Sequence, residues 1–124
     1  MNVKIDTKER FTVITPLEAH LSVNMTEELG NLLLSYLQKD MPHIVFNMNA
    51  VKTVDELTGE NLAQIQQQFY EKNVSFVICC LQPAVEQMLD TKELLEVMNV
   101  TPSESEAWDM VQMEEIEREL LNDE

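Results

Sequence analysis

The stretch that decides the fold is His43–Gly59, HIVFNMNAVKTVDELTG. Its first part, Ile44–Phe46, is apolar at consecutive positions, which is typical of a central strand that is buried on both faces. A polar loop follows, and a helix is predicted to open at Asp55–Gly59. In open α/β folds, ligands and partners usually bind in the crevice beyond the carboxyl end of such a strand. The stretch therefore predicts a functional surface at Asp55–Gly59.

Outward from this stretch, the chain alternates between buried strands and amphipathic helices. Thr58–Lys72 has the apolar spacing of a helix, and Val74–Leu81 reads as a second strand that is covered on both faces. Leu95–Val100 predicts a short edge strand. This alternation favours a mostly parallel sheet, to which the runs Val3–Asp6 and Arg10–Thr15 add an antiparallel N-terminal hairpin. The predicted order is ββαβαβαβα, a mixed α/β fold with about four helices.

Local signals predict where three of these helices begin. Asn24 or Thr26 is the predicted N-cap of the first helix, because amide and hydroxyl oxygens accept hydrogen bonds from the unpaired N–H groups of the first turn. Pro83 suits the first turn of the third helix, since its missing N–H would be unpaired there anyway. Ser103 and Glu106 have the spacing of a capping box, which predicts the start of the last helix.

By its length of 124 residues, the chain is one domain, predicted over residues 1–113 and followed by an acidic tail over residues 114–124. The tail carries one arginine among its many acidic residues, which is typical of a solvated, frayed helix. Its apolar residues Ile116, Leu120 and Leu121 leave a second interpretation open, in which they contact a partner or a second copy of the chain.

The charge of the chain excludes several classes of partner. With 23 acidic and 8 basic residues, the formal net charge is −15, which repels nucleic-acid phosphates and anionic membrane surfaces. No segment has the length and apolar character of a membrane span, so no direct membrane insertion is predicted. Charged residues within Met1–Thr15 interrupt any apolar run that a signal peptide would need, which predicts a cytoplasmic protein.

Residues that could carry chemistry are sparse. His20 is predicted in a loop and His43 at the start of a strand, and their separation does not suggest a metal site. Cys79 and Cys80 are adjacent on a predicted strand, so their side chains should point to opposite faces as reduced core residues. The chain has two glycines, too few for a glycine-rich phosphate loop. The sequence therefore predicts no catalytic residue, metal or cofactor.

With this order of elements, the chain resembles the STAS domain family, which includes bacterial anti-sigma factor antagonists. The strongest parts of the resemblance are HIVFNMNAV at residues 43–51, with the Val-Asp pair at residues 54–55, and FVICCLQPAVEQMLDTKELLEVM at residues 76–98. The ending TPSESEAWDMVQMEEIEREL at residues 101–120 resembles the last helix of small stand-alone members. The resemblance implies a STAS-like fold and a non-enzymatic interaction domain, with Asp55–Gly59 as the docking loop and Leu21–Thr26 as a neighbouring candidate.

In anti-sigma factor antagonists this loop typically reads Asp-Ser-Ser-Gly, and a partner kinase that is also the anti-sigma factor phosphorylates the first serine. The phosphate adds about −1.5 to −2 charge and releases the partner. Here Asp55 matches the aspartate. Without a gap, Glu56 takes the acceptor position. With one inserted residue, Gly59 matches the glycine, Leu57 takes the acceptor position and Thr58 takes that of the second serine.

This departure leaves three functional interpretations of the loop. In the first, phosphorylation has been lost and the domain binds its partner constitutively. In the second, Glu56 imitates phosphoserine. In the third, Thr58 is a displaced phosphosite. We favour the first. Beside all three, Asp55 or Thr58 is expected to be the helix N-cap, with Glu56 a favourable acid in the first turn.

The resemblance implies a protein partner, for which a histidine-kinase-like ATPase anti-sigma factor is the leading candidate, and regulation of transcription by partner switching. The alternative is a constitutive scaffold subunit of a larger complex, such as a lipid-transport assembly. The oligomeric state stays open.

Overall fold

The central element of the computed structural model, which describes residues 2–122, is a five-stranded sheet. The strands in chain order are β1 (Val3–Thr7), β2 (Thr12–Pro16), β3 (His20–Leu21), β4 (Ile44–Asn47), β5 (Thr53–Val54), β6 (Phe76–Cys79) and β7 (Val100–Thr101). The order of strands in the central sheet is β1-β2-β4-β6-β7. The helices are α1 (Val23–Ser35), α2 (Glu56–Glu71), α3 (Pro83–Thr91) and α4 (Glu104–Asn122), with short 3-10 turns at Tyr36–Gln38 and Leu95–Val97.

Strand pairing confirms the predicted mixed α/β fold. β1 pairs antiparallel with β2 as the N-terminal hairpin, and β2, β4, β6 and β7 are parallel. The register aligns Val13, Val45 and Val77 across the three central strands. All residues of β4 and β6 are buried, as their continuous apolar runs predict, because helices cover both faces of the sheet.

The two faces of the sheet carry separate hydrophobic clusters. On one face, Phe46 and Phe76 pack with the side chains of α1, α2 and α3, and the rings of Phe69 and Phe76 lie 5.1 Å apart. On the other face, Val45 and Val77 pack with the buried residues of α4. The arrangement leaves the starts of α1 and α2 together on the first face.

The predicted start of the first helix is wrong. The N-cap of α1 is Ser22, not Asn24 or Thr26: its Oγ accepts a hydrogen bond from the N–H of Met25 at 3.2 Å, so the helix begins before both predicted caps. Thr26 instead lies inside the helix, where its hydroxyl donates to the carbonyl of Ser22 at 2.8 Å. The error arises because several residues that can cap a helix lie close together in this segment.

The predicted edge strand Leu95–Val100 is also shorter than expected. Leu95–Val97 forms a 3-10 turn, and only Val100 and Thr101 pair with β6. The turn follows Glu93, whose φ of 59° ends the preceding helix, and it lets Leu94 and Leu95 pack against the core. Burial of these leucines therefore outweighs the extended pattern of the sequence.

The adjacent cysteines have different environments. Both are free, as predicted. Cys79 is fully buried at the end of β6 and belongs to the cluster under α4. Cys80 leaves the strand with a φ of 62° and is only half-buried, so the expectation that both are core residues holds for Cys79 alone.

The last helix continues through the boundary predicted after Met113. Glu115 contacts the imidazole of His43 at 3.0 Å, and the guanidinium of Arg118 donates to the hydroxyl of Ser75 at 3.0 Å. The first part of the predicted tail is thus attached to the sheet rather than frayed. The last two residues of that tail, Asp123 and Glu124, lie outside the described residues.

Candidate docking surface at the start of α2

The candidate surface forms where the start of α2 meets the start of α1 and the end of α3. Asp55 precedes α2 with an extended backbone, and its carbonyl accepts the N–H of Thr58 at 3.0 Å. Directly before it, β5 pairs in parallel with β3, so His20 lies beside Thr53 and Leu21 beside Val54. This small sheet was not predicted, and it holds the loop against the body of the domain.

The carboxylate of Asp55 is held from two sides. Its Oδ1 lies 2.9 Å from Nε2 of His20, and its Oδ2 accepts the backbone N–H of Val23 at 3.0 Å. The Val23 hydrogen bond, with that of His20, holds the pKa of this carboxyl below its ordinary value. Asp55 is the residue before α2, as predicted, yet its side chain caps the first turn of α1 and makes no capping bond to α2.

His20 belongs to the site, although the sequence predicted it only as a loop residue. A carboxylate can only accept, so Nε2 of His20 donates to Asp55. The other ring nitrogen, Nδ1, lies 2.7 Å from the hydroxyl oxygen of Thr53. The chain Thr53–His20–Asp55–Val23 therefore fixes the loop with side-chain and backbone hydrogen bonds. No local signal marks His20, because its partner lies 35 positions away.

Thr58 is fully buried, with 0% of its surface exposed. Its hydroxyl lies 3.3 Å from the carbonyl oxygen of Leu21, to which it donates, and 3.2 Å from the hydroxyl of Thr26. A kinase cannot reach such a hydroxyl without opening the start of α2. This geometry argues against Thr58 as a displaced phosphosite and gives it a structural role instead.

Glu56 and Leu57 are the residues of the loop that face solvent. Glu56 forms an ion pair with Lys92 at the end of α3, and this lysine lowers the pKa of the Glu56 carboxyl. Leu57 has 54% of its surface exposed. Both predicted acceptor-equivalent positions, Glu56 and Leu57, are therefore exposed, and neither carries a hydroxyl.

Gly59 brings α2 close to α3. A Cβ at this position would lie 2.9 Å from methyl carbons of both Leu89 and Leu94. Glycine therefore allows the contact that places Lys92 within reach of Glu56. In the neighbouring candidate segment, Leu21 and Thr26 are buried, so that segment reaches solvent chiefly through Asn24.

Among residues 2–122, no group of histidine, cysteine and acidic side chains could hold a metal ion. A cleft of about 610 Å³ lies elsewhere, between α3 and β7, and its lining is mostly apolar with the single carboxylate of Glu86. The start of α2 presents the exposed Leu57 and the Glu56–Lys92 ion pair on a hydrogen-bonded frame.

The family model of the STAS domain matches residues 2–107 of the chain. The chain belongs to the STAS domain family. This match covers every strand of the central sheet and ends in the first turns of α4. A search of curated proteins finds no match.

Solved structures share the fold of this STAS domain. A putative anti-sigma factor antagonist from Thermotoga maritima is 15% identical, with a TM-score of 0.79 over 89% of this chain and 94% of that one. A serine-to-glutamate variant of RsbS from Moorella thermoacetica is 21% identical, with a TM-score of 0.73 over 90% and 96%. The Bacillus cell fate determinant SpoIIAA in its phosphorylated form is 13% identical, with a TM-score of 0.65 over 89% and 99%.

At these identities the likeness concerns the fold, which is that of the anti-sigma factor antagonists. Within residues 2–122 of this STAS domain, no helix combines the length and apolar character needed to cross a membrane.

Proposed function

We propose that this STAS domain is a non-enzymatic protein-interaction domain that binds its partner through Asp55–Gly59 without phosphorylation of that loop. The observation that carries the proposal is that, at two adjacent positions of the loop, the polar side chain is buried and the apolar side chain is exposed. Thr58, the only hydroxyl of the loop, has no exposed surface, whereas Leu57 is 54% exposed. An exposed leucine on a rigid frame is suited to burial against a partner.

The geometry at Glu56 supports constitutive binding over a permanent imitation of phosphoserine. A phosphate releases a partner by adding about −1.5 to −2 charge within the docking surface. The carboxylate of Glu56 carries a single charge and is paired with Lys92. Because Glu56 carries one charge and lies beside Lys92, it presents less repulsion than a phosphate would.

The partner we propose is an anti-sigma factor of the histidine-kinase-like ATPase type, and the role is regulation of transcription by partner switching. The shared fold with anti-sigma factor antagonists supports this assignment. The exposed start of α2, which matches the family's phosphorylated loop, supports it further. Without an acceptor hydroxyl, release of the partner would depend on the partner's own nucleotide state.

The test is isothermal titration of the purified domain with an ATPase-type anti-sigma factor from the same cell. Leu57→Asp should weaken binding at least about tenfold, since it places a charge in the buried contact. Tyr70→Asp is the matched control, because Tyr70 is 72% exposed near the far end of the same helix. Equal affinities for the two variants would exclude the start of α2 as the docking surface.

A second variant tests the lost phosphosite. Glu56→Ser restores a hydroxyl at the ungapped acceptor position, and Leu57→Ser does so at the gapped one. Incubated with the anti-sigma factor and ATP, one of these variants should gain a phosphate while the wild type gains none. A phosphate on wild-type Thr58 would contradict the proposal.

The second candidate function is a constitutive scaffold subunit of a larger assembly, such as a lipid-transport complex. The observation that favours it is the same buried hydroxyl at Thr58, because a surface without an accessible acceptor suits a permanent contact. A stoichiometric complex that survives both ADP and ATP would support the scaffold. A complex that forms with one nucleotide and dissolves with the other would support partner switching.

A further inference from the structure

The outer face of α4 carries an apolar stripe that nothing in the domain covers. Met113, Ile116 and Leu120 are 60%, 56% and 65% exposed. Their spacing of three and four positions places them on one face of the helix. The opposite face holds Ala107 and Val111, which are fully buried against the sheet. The helix therefore has two apolar faces, of which the domain uses one.

This second stripe is not needed for the fold. A surface helix normally buries one apolar stripe and presents polar residues to water. In α4 the contacts with the sheet are already made by the buried face and by Arg118, whose guanidinium bonds to Ser75. Three neighbouring exposed apolar side chains on the outer face are typical of a surface that a partner covers.

The charges beside the stripe indicate what kind of partner fits. Asp109 precedes the stripe along the same face, Glu117 lies on one side of it, and Glu119 lies on the other. None of these three acids forms an ion pair with another residue between positions 2 and 122. Glu119 also lies in the last turn of α4, at the negative end of the helix dipole, and this turn has no basic residue. This arrangement is unfavourable in the isolated domain and would be relieved by positive charge.

A second copy of the chain is a poor occupant by the same reasoning. Two copies of α4 packed along this stripe would bring like acids together at the flanking positions, which disfavours pairing in two-helix packing. The net charge of −15 adds long-range repulsion between copies. The acidic flanks instead favour lysine or arginine at the matching positions of another protein.

We propose that the outer face of α4, centred on Met113, Ile116 and Leu120, is a docking site for an amphipathic helix with basic flanks that belongs to a partner protein. The site is distinct from the start of α2 and does not depend on the function proposed for that surface. The partner's helix packs against the outer face of α4, with its apolar residues on the stripe and its basic residues beside Glu117 and Glu119.

The test uses two synthetic helical peptides with leucine at the core positions of each heptad. One has lysine at the flanking positions and the other has glutamate. Binding to the full chain is measured by fluorescence anisotropy of the labelled peptide. The lysine peptide should bind at least about tenfold more tightly than the glutamate peptide, and added salt should weaken it.

A variant with the same net charge distinguishes binding at this site from general attraction between a basic peptide and an acidic protein. The double variant of Ile116→Ser and Leu120→Ser should lose at least about tenfold in affinity for the lysine peptide. Tyr70→Ser, at an exposed position of α2, should keep wild-type affinity. Circular dichroism verifies that all variants are folded.

Two results would overturn the proposal. One is wild-type affinity of the double variant for the lysine peptide, which would place the peptide elsewhere on the acidic surface. The other is a dimer, seen by sedimentation equilibrium, that the double variant abolishes. In that case the stripe would belong to a contact between two copies of the chain.

Discussion

The carboxylate of Asp55 accepts a hydrogen bond from the backbone N–H of Val23 at 3.0 Å, so the residue just before α2 caps the first turn of α1. The two helix starts are thereby held together across 32 positions of sequence. The same carboxylate bonds to His20, which ties the small sheet of β3 and β5 to both helices. The proposed docking surface therefore has a fixed shape before any partner arrives, which lowers the entropy lost on binding.

Replacing Asp55 should loosen this frame. Asp55→Ala leaves the N–H of Val23 without its partner and releases His20, so the midpoint of urea unfolding should fall. Asp55→Asn should retain most of the stability, because the amide oxygen still accepts from Val23. Asp40→Ala, at an exposed position before β4, is the control for loss of a carboxylate. Equal midpoints for Asp55→Ala and Asp40→Ala would contradict a capping role.

A negative charge should destabilise the domain at one position of α2 and have little effect at its neighbour. Thr58→Asp buries a carboxylate beside Thr26 and the carbonyl of Leu21, and should reduce the free energy of unfolding by about 3 kcal/mol or more. Leu57→Asp places the same group in solvent at the positive start of a helix, so its effect should stay within about 0.5 kcal/mol. Denaturant titration of both variants checks this. A Thr58→Asp protein as stable as Leu57→Asp would mean that the hydroxyl is accessible after all.

His43 should make the stability of the domain depend on pH. Its Nδ1 accepts the backbone N–H of Ser75 at 3.0 Å, a bond that requires the nitrogen to be unprotonated. Burial lowers the pKa of His43 below its ordinary value of 6.5, although the facing carboxylate of Glu115 acts in the opposite direction. The unfolded chain then binds more protons just below pH 6.5, so stability is complete above that pH and falls as pH drops through the lower, folded pKa.

Two measurements check this prediction. Proton NMR titration should give His43 a midpoint below 6.5. Urea midpoints between pH 7.5 and 5.5 should fall less for His43→Asn than for the wild type, because asparagine cannot gain the proton but can still accept from Ser75. The carboxylates of Glu114 and Glu115 and the guanidinium of Arg118 surround the ring and are unchanged in this variant. A midpoint at or above 6.5 would show that Glu115, rather than burial, dominates.

The central sheet is predictable from sequence because its signals are local. Ile44–Asn47 and Phe76–Cys79 are buried on both faces, and strands in such positions show as continuous apolar runs. The pairing of β3 with β5 leaves no such trace. Each of these strands has two residues, which is too short for any periodicity, and their association depends on contacts between distant segments.

The sequence predicts a candidate surface at Asp55–Gly59, but it does not predict the contacts within this segment. Asp55–Gly59 follows from the strand, the loop and the family resemblance. That Thr58 is buried and Leu57 exposed does not follow, because residue type alone indicates the reverse. The helical phase of α2 decides the matter: Thr58 and Gly59 lie on the face that packs against α1 and α3, and Leu57 lies outside it.

The two adjacent cysteines should differ in reactivity. Their labelling rates test whether the carboxyl end of β6 stays closed around Cys79. Cys79 is fully buried, and this burial raises the pKa of its thiol, so little of the reactive thiolate forms. Cys80 is half-buried in a left-handed conformation just beyond the strand. In the folded domain an aromatic disulfide reagent should label Cys80 more than about tenfold faster than Cys79. Cys80→Ser should leave no rapidly reacting thiol until urea unfolds the chain, whereas rapid labelling of that variant would show that β6 opens at its carboxyl end.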